Sequence, residues 1–199
     1  DKYERRMNAL AQYTIGAASA ALLHAGVDDG MKADIGFIYG TSRGSTDSIG
    51  RFLRSVFEKG PEFASSIYFP HTVINSIAGK ASEKLQLTGF ASSLSTGGCE
   101  GVGAALYAAG MIRDGALPAC LVGAGDERSP LSDAIDRAKG MDRGRYRMTE
   151  GSICMVLADM DYARERGMNL LAELTGFGAA FSAGSAAFAA ADASEEDEE

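Results

Sequence analysis

The chain is poor in the residues that build disulfide frameworks, metal sites and serine-dependent active sites. Its 199 residues include three cysteines, Cys99, Cys120 and Cys154, and two histidines, His24 and His71. Three cysteines spaced far apart exclude a disulfide framework and a zinc site, and they predict reduced thiols. With only two histidines, the sequence also argues against a serine triad. The sequence therefore predicts neither a metal nor another cofactor.

Long apolar runs and an excess of positive charge are also missing. No apolar segment reaches the roughly 18 residues of a membrane span. Asp1–Arg6 is charged, and no apolar segment of a signal peptide follows it. We therefore expect no membrane association and a cytoplasmic location. The net charge of −8 repels phosphate backbones, which argues against nucleic-acid binding.

The residues that are abundant favour one layered α/β domain. Hydrophobic residues make up 46% of the chain and 25 residues are glycine, which suits close packing of helices on a sheet. Apolar residues at helical spacing alternate with short apolar runs that are typical of covered strands. The predicted helices are Glu4–Ala25, Asp47–Glu58, Thr72–Leu85, Cys99–Asp114, Pro130–Lys139 and Tyr162–Arg166. The predicted strands are Ile35–Tyr39, Ala91–Leu94, Ala119–Val122, Ser152–Leu157 and Leu170–Gly176.

Two segments stand out from this alternation. The helix Cys99–Asp114 has small or apolar residues on nearly all sides, which is typical of a central buried helix. Residues 182–199 are rich in alanine, serine and glycine and then acidic, without periodicity. We expect this tail to be disordered and the domain to comprise residues 1–181.

Four stretches of the sequence resemble β-ketoacyl synthases, in the order and at close to the spacing of that family. They are Arg5-Arg6-Met7 through His24-Ala25-Gly26-Val27; Phe69-Pro70-His71-Thr72-Val73-Ile74-Asn75 with Ala78-Gly79; Ser95-Thr96-Gly97-Gly98-Cys99-Glu100-Gly101 with Gly123-Ala124-Gly125-Asp126-Glu127; and Met148-Thr149-Glu150-Gly151-Ser152 with Ala163-Arg164-Glu165-Arg166-Gly167 and Ala172-Glu173-Leu174-Thr175-Gly176. The resemblance implies the N-terminal half of a thiolase-like fold, layered α-β-α, with a mixed and mainly buried sheet. The family's two catalytic histidines and a lysine belong to its C-terminal half.

The resemblance also points to an altered nucleophile. The family carries its acyl chain on the cysteine of a Thr-Ala-Cys-x-x-Gly pattern at the start of the buried helix, and here the matching residues begin at Thr96 and end at Gly101. An ungapped match places Gly98 at the nucleophile position and Cys99 one residue later. One residue turns a helical side chain by about 100°. We therefore expect Cys99 to point away from the acyl tunnel.

Six residues are the candidate site on this basis. Cys99 is the one candidate catalytic residue, as a displaced nucleophile, with a small buried thiol as the alternative interpretation. The candidate substrate-binding residues are Thr96, Gly97, Gly98, His71 and Glu150. His71 matches neither family histidine and can equally be a surface or hydrogen-bonded residue. Glu150 matches a family carboxylate near the active-site floor, and its alternative role is a structural hydrogen-bond acceptor.

Three functions are compatible with this pattern. The first is a non-catalytic partner resembling the chain length factors of fatty-acid or polyketide synthesis. Such a protein would form a homodimer, or a heterodimer with an active ketosynthase, through the strand Ala91–Leu94. An acyl carrier protein would deliver the acyl chain. The second is an acyltransferase or condensing enzyme that uses Cys99. The third is a stand-alone acyl-binding module.

Overall fold

The computed structural model describes residues 7–140 and 149–180. Within these residues the helices are α1 Ala9–Ala25, α2 Thr46–Lys59, α3 Ser76–Leu85, α4 Glu100–Arg113, α5 Pro130–Ala138 and α6 Met160–Glu165. The strands are β1 Ile35–Gly40, β2 Ala91–Leu94, β3 Ala119–Asp126 and β4 Gly151–Ala158. Short 3-10 helices cover Asp29–Met31, Pro61–Phe63 and Phe69–His71. The predicted tail 182–199 and the domain boundary at residue 181 lie outside the described residues.

The four described strands form one mixed sheet in the order β2-β1-β3-β4. β1 runs parallel to both β2 and β3, and Ile38 lies opposite Ser92 on one side and Val122 on the other. β4 closes the sheet antiparallel to β3. The mixed sheet that the family resemblance implied is therefore confirmed.

Helices cover both faces of this sheet, so the layered α-β-α arrangement is confirmed as well. Because strand side chains alternate between faces, Phe37, Tyr39 and Leu121 pack on the side of α1 and α3. Ile38 and Val122 point to the opposite face, where they meet α4. β1 is buried along its whole length, as its uninterrupted apolar sequence predicted.

Helix α1 illustrates how local sequence sets an element. The side chain of Asn8 accepts a hydrogen bond from the Ala11 N–H at 2.7 Å and caps the helix, and Gly26 ends it with a φ of 76°. The end at Ala25 agrees with the prediction. The predicted start near Glu4 is wrong for Met7 and Asn8, because Asn8 is extended as a capping residue requires. Residues 4–6 lie outside the described residues.

Helix α4 is buried on one side only. Ala104 and Ala108 are fully buried against the sheet, whereas Val102 is 62% and Tyr107 45% exposed. The prediction of a central buried helix therefore holds for the side that faces the sheet. The outer side stays exposed because the described residues place no second layer over it.

The predicted strand Leu170–Gly176 is wrong. Residues 169–180 form no regular element, and Leu171 and Leu174 are exposed. An apolar run becomes a strand only where a neighbouring strand offers ladder hydrogen bonds, and that partner is a tertiary property.

In the described part of the chain, no helix is both long and apolar enough to cross a membrane.

Candidate functional site

The candidate site lies where the loops after the parallel strands meet. The Thr41 N–H donates to the Leu94 carbonyl at 3.0 Å, and Ser95 Oγ donates to the Ser42 carbonyl at 3.5 Å. These contacts join the loop after β1 to the loop after β2. Open α/β sheets bind their ligands at the carboxyl ends of their strands, so this edge is the expected position of a site.

The last residue of β1 brings helix α4 unusually close to the sheet. A Cβ built on Gly40 would lie 2.7 Å from the carbonyl carbon of Glu100, inside van der Waals contact. Only glycine leaves room here for the first turn of α4. The Glu100 side chain is buried and accepts a hydrogen bond from the Gly98 N–H at 2.9 Å. The start of α4 is therefore held against the end of β1.

The loop between β2 and α4 contains the candidate residues Thr96, Gly97, Gly98 and Cys99, which adjoin one another in sequence. Gly98 has a φ of 122°, a conformation that residues with a side chain rarely adopt, although the space beside it is open. Cys99 has a φ of −122° and is the N-cap residue of α4. Its side chain is exposed, which argues against its interpretation as a small buried thiol. Thus the backbone itself disfavours any side chain at position 98.

The other two thiols belong to the core. Cys120 on β3 is buried, and burial raises the pKa of its thiol to about 12. Burial also raises the pKa of the Cys154 thiol on β4 to about 11. Since the thiolate is the reactive form, both residues are chemically quiet at neutral pH. Cys99 is the exposed thiol of the three.

His71 lies apart in sequence, in the 3-10 helix Phe69–His71, which packs against α2 and α3. Its side chain is half-buried, and Nδ1 is buried without a hydrogen-bond partner among the described residues. Burial lowers the pKa of His71, and the positive charge of Lys80 lowers it further. A neutral imidazole is therefore favoured at this position.

Glu150 precedes β4 and borders an open depression of about 450 Å³. Asp126, at the end of β3, lies on the same depression. The Glu150 carboxylate accepts hydrogen bonds from Tyr13 Oη at 3.3 Å and from the Arg128 N–H at 3.4 Å. These bonds agree with the structural role that the sequence left open for Glu150.

Sequence reasoning missed the part played by Asp126. Hydrogen-bond donors of the loop after β1 converge on this carboxylate. Thr41 Oγ1 donates to Oδ1 at 2.8 Å, Ser42 Oγ to Oδ2 at 2.7 Å, and the N–H groups of Ser42 and Arg43 to Oδ1 at 3.0 and 3.2 Å. Hydroxyl residues after one strand and a carboxylate after its neighbour were the available signal.

Sequence reasoning also missed Glu127, whose hydrogen-bond partners lie far from it in the sequence. It is buried, and its carboxylate accepts hydrogen bonds from the Leu10 N–H in α1 and the Asp47 N–H in α2. Among residues 7–140 and 149–180, no group of three or more histidine, cysteine or acidic side chains is placed to bind a metal ion.

Comparison with known sequences agrees with this fold. The family described as "Beta-ketoacyl synthase, N-terminal domain" matches residues 1–143. The chain is 31% identical over 197 residues to 3-oxoacyl-[acyl-carrier-protein] synthase 2 of Vibrio cholerae, covering 89% of this chain and 48% of that protein. It is 28% identical over 192 residues to the ketoacyl synthase alpha subunit of the tetracenomycin polyketide synthase of Streptomyces glaucescens, covering 83% and 45%.

Solved structures show the same fold at lower identity. A type II polyketide ketosynthase in complex with its acyl carrier protein superposes with a TM-score of 0.74 at 21% identity, covering 84% of this chain and 52% of that one. A β-ketoacyl synthase from Burkholderia phymatum gives 0.69 at 23%, covering 84% and 46%. The ishigamide ketosynthase/chain length factor gives 0.64 at 21%, covering 78% and 45%.

The chain spans about half the length of the curated relatives that it matches. The match to the family covers well over half of this chain, and the mixed sheet, the covering helices and the loop before α4 are all present in the structure. On this evidence the chain belongs to the β-ketoacyl synthase family, whose N-terminal domain it contains.

Proposed function

We propose that this chain acts in fatty-acid or polyketide synthesis as a non-catalytic, chain-length-factor-like partner of an active ketosynthase. The observation that carries the proposal is Gly98, at the position where the family's pattern has its cysteine. Its φ of 122° disfavours a side chain there, so the loop is built for glycine. The chain then shapes an acyl tunnel without carrying the acyl group covalently.

The edge of the sheet supports a paired assembly. Within the described part of the chain, β2 is an outer strand that pairs with β1 alone. The carbonyls of Phe90 and Leu94 accept hydrogen bonds from β1, so the backbone groups of Ala91 and Ser93 face outward. An unpaired edge can pair with a second chain across a two-fold axis. We propose that the partner subunit, a second copy or an active ketosynthase, pairs here.

The substrate contacts follow from the same proposal. Thr96, Gly97 and Gly98 would line the tunnel beside the start of α4, and Glu150 and His71 would contact the acyl chain or its carrier arm. An acyl carrier protein would be the donor. Solved relatives include a ketosynthase in complex with its acyl carrier protein and a ketosynthase/chain length factor, and these precedents support both partners.

One observation favours a second candidate, acyl transfer by Cys99. Its thiol is exposed at the N-terminus of the 14-residue helix α4, where it is open to an approaching thioester. In such a reaction Cys99 Sγ attacks the thioester carbonyl and forms a new thioester. The carrier's sulfur leaves and takes up the proton that Cys99 has lost.

Intact mass spectrometry after incubation with an acyl-loaded carrier protein separates the two. We expect no acyl adduct on the full chain, while iodoacetamide modifies Cys99. The variants are Cys99→Ser and, as the matched control, Cys154→Ser. An adduct that persists in Cys154→Ser but disappears in Cys99→Ser would establish the acyltransferase and refute the non-catalytic role.

The partner is tested by size-exclusion chromatography with light scattering, with and without an active ketosynthase. We expect a dimer that Ala91→Pro disrupts, because proline removes an outward N–H of β2. Ala91→Thr keeps that N–H and is the control. A monomer that binds acyl chains unaided would contradict the partner role and indicate a stand-alone binding module.

A further inference from the structure

Helix α2 is capped by a residue from elsewhere in the chain. Its N-cap residue is Ser45, and an N-cap serine usually accepts a hydrogen bond from the second or third N–H of its helix. Ser45 makes no such bond, and its Oγ is buried without a hydrogen-bond partner in the described part of the chain. The second N–H of the helix, that of Asp47, donates instead to Glu127 Oε1 at 2.9 Å. Glu127 therefore occupies the donor that Ser45 would normally use.

The same carboxylate reaches a second helix. Glu127 Oε2 accepts a hydrogen bond from the Leu10 N–H of α1 at 3.3 Å. Helix α1 also has a cap of its own, Asn8, and packs on β4, β3 and α3. Helix α2 instead packs mainly on α5 and the segment 61–71. The attachment of α2 to the end of β3 thus depends more strongly on Glu127 than that of α1.

The surroundings of Glu127 set its proton affinity. Burial raises the pKa of Glu127, and the negative charges of Asp47 on α2 and Glu150 before β4 raise it further. The hydrogen bonds from the Asp47 and Leu10 N–H groups oppose this and lower the pKa, but the net shift is upward. On α1, the Tyr13 phenol faces the negative charges of Glu150 and Glu127, which raise its pKa, so it stays neutral.

We propose that Glu127 is a proton-sensitive clamp on the start of α2. The ionised carboxylate accepts the hydrogen bond from the Asp47 N–H. When a Glu127 oxygen takes up one proton from solvent, this bond breaks and Ser45 Oγ accepts a hydrogen bond from the first turn of α2 instead. Two arrangements of the same helix end are then available, one capped from β3 and one capped locally. The switch lies directly after the loop that Thr41 and Ser42 attach to Asp126, so it couples pH to the edge of the sheet that holds the candidate site. It does not depend on the proposed function.

Protonation of Glu127 affects the free energy of unfolding of the whole chain in a direction that distinguishes a local change at α2 from global unfolding. The pKa of Glu127 is higher in the folded chain than in the unfolded chain. Its contribution to folding is therefore fully present below the unfolded-state pKa and is lost as the pH rises through the folded-state pKa. Acidification through this window protonates Glu127, and the contribution of this group to folding increases.

A pH series of amide spectra and hydrogen exchange on the full chain tests the switch. In the native chain we expect the Asp47 amide shift to show a titration step with a midpoint above that of an exposed glutamate, and Glu127→Gln to remove that step. Ser45→Ala should leave the first turn of α2 unchanged at neutral pH, because Ser45 Oγ has no partner there. At acidic pH it should raise exchange in that turn by roughly fivefold, the effect expected from losing one cap.

Asn8→Ala is the matched control, because it removes from α1 a cap whose side chain does not titrate. It should raise exchange in the first turn of α1 already at neutral pH, where Ser45→Ala leaves the first turn of α2 unchanged. An Asp47 amide shift without the step that Glu127 causes would overturn the proposal. So would Ser45→Ala loosening α2 already at neutral pH, because Ser45 would then be the ordinary cap. Both measurements on chains with native Glu127 stay informative if Glu127→Gln fails to fold.

Discussion

Replacing Gly40 by alanine tests how tightly the site edge is built. Gly40 ends β1 beneath the first turn of α4, and an added Cβ would lie 2.7 Å from the Glu100 carbonyl carbon and 2.8 Å from the Glu100 Cβ. Non-bonded carbon atoms in van der Waals contact are about 3.5–4.0 Å apart. The start of α4 would have to move by about 1 Å, and the neighbour is backbone, which cannot rotate away.

The expected loss of stability follows from these distances. Overpacking a tight contact costs about 1–3 kcal/mol. We expect a value near the upper end, about 2–3 kcal/mol, because both β1 and the start of α4 are buried. For a chain of this size, 1 kcal/mol corresponds to a shift in Tm of about 2–4 °C. Gly40→Ala should therefore lower Tm by about 4–12 °C.

Thermal and urea unfolding of Gly40→Ala and of Gly79→Ala measure the effect. Gly79 lies inside α3 with nothing within 4 Å of an added Cβ, so alanine there should stabilise the chain by about 0.5–1 kcal/mol. Movement of α4 should also change the rate at which iodoacetamide modifies Cys99. A Gly40→Ala chain as stable as the native one, with an unchanged rate, would show that the contact at α4 is not rigid and would refute the reasoning.

Three further perturbations act on other parts of the site and core. Tyr39→Phe removes a fully buried hydroxyl that lies 2.8 Å from Thr14 Oγ1 and 3.1 Å from Ser152 Oγ, and should lower the unfolding free energy by about 1–3 kcal/mol in urea titrations. Gly98→Ala should lower it by about 1–3 kcal/mol through backbone strain alone, since the space is open; equal stability would exclude that strain. At pH 8, the Cys154 thiol should react with iodoacetamide more slowly than the exposed Cys99 thiol, because burial raises the pKa of Cys154 to about 11; equal rates would contradict its burial.

The elements that were predicted well are those with strong local signals. Ile35–Tyr39 is a short apolar run before a glycine, and it forms the buried strand β1. The end of α1 at Gly26 follows from helix termination chemistry. The segment Leu170–Gly176 has a comparable apolar content and forms no strand, because its sequence cannot supply a ladder partner.

The candidate site was predicted only in part. The match of Thr96 and Gly101 to the family's pattern placed Gly98 at the nucleophile position, and this placement stays a prediction. The φ of 122° at Gly98 is a conformation that residues with a side chain rarely adopt. The exposure of Cys99 depends on how the loop enters α4, which the local sequence does not specify. Whether Cys99, His71 and the other candidates act on an acyl chain stays a prediction.

The amino-acid sequence alone determined the alternation of helices and strands and the covered character of β1 and β3, and it predicted glycine at the family's nucleophile position. These are properties of neighbouring residues, since periodicity, glycine stops and motifs act over a few positions. Only the tertiary structure decided that Asp126 binds the loop after β1 and that Glu127 caps two helices. Such contacts join residues about 80 to 120 positions apart. A carboxylate takes its partner from the folded geometry, so no local pattern records the choice.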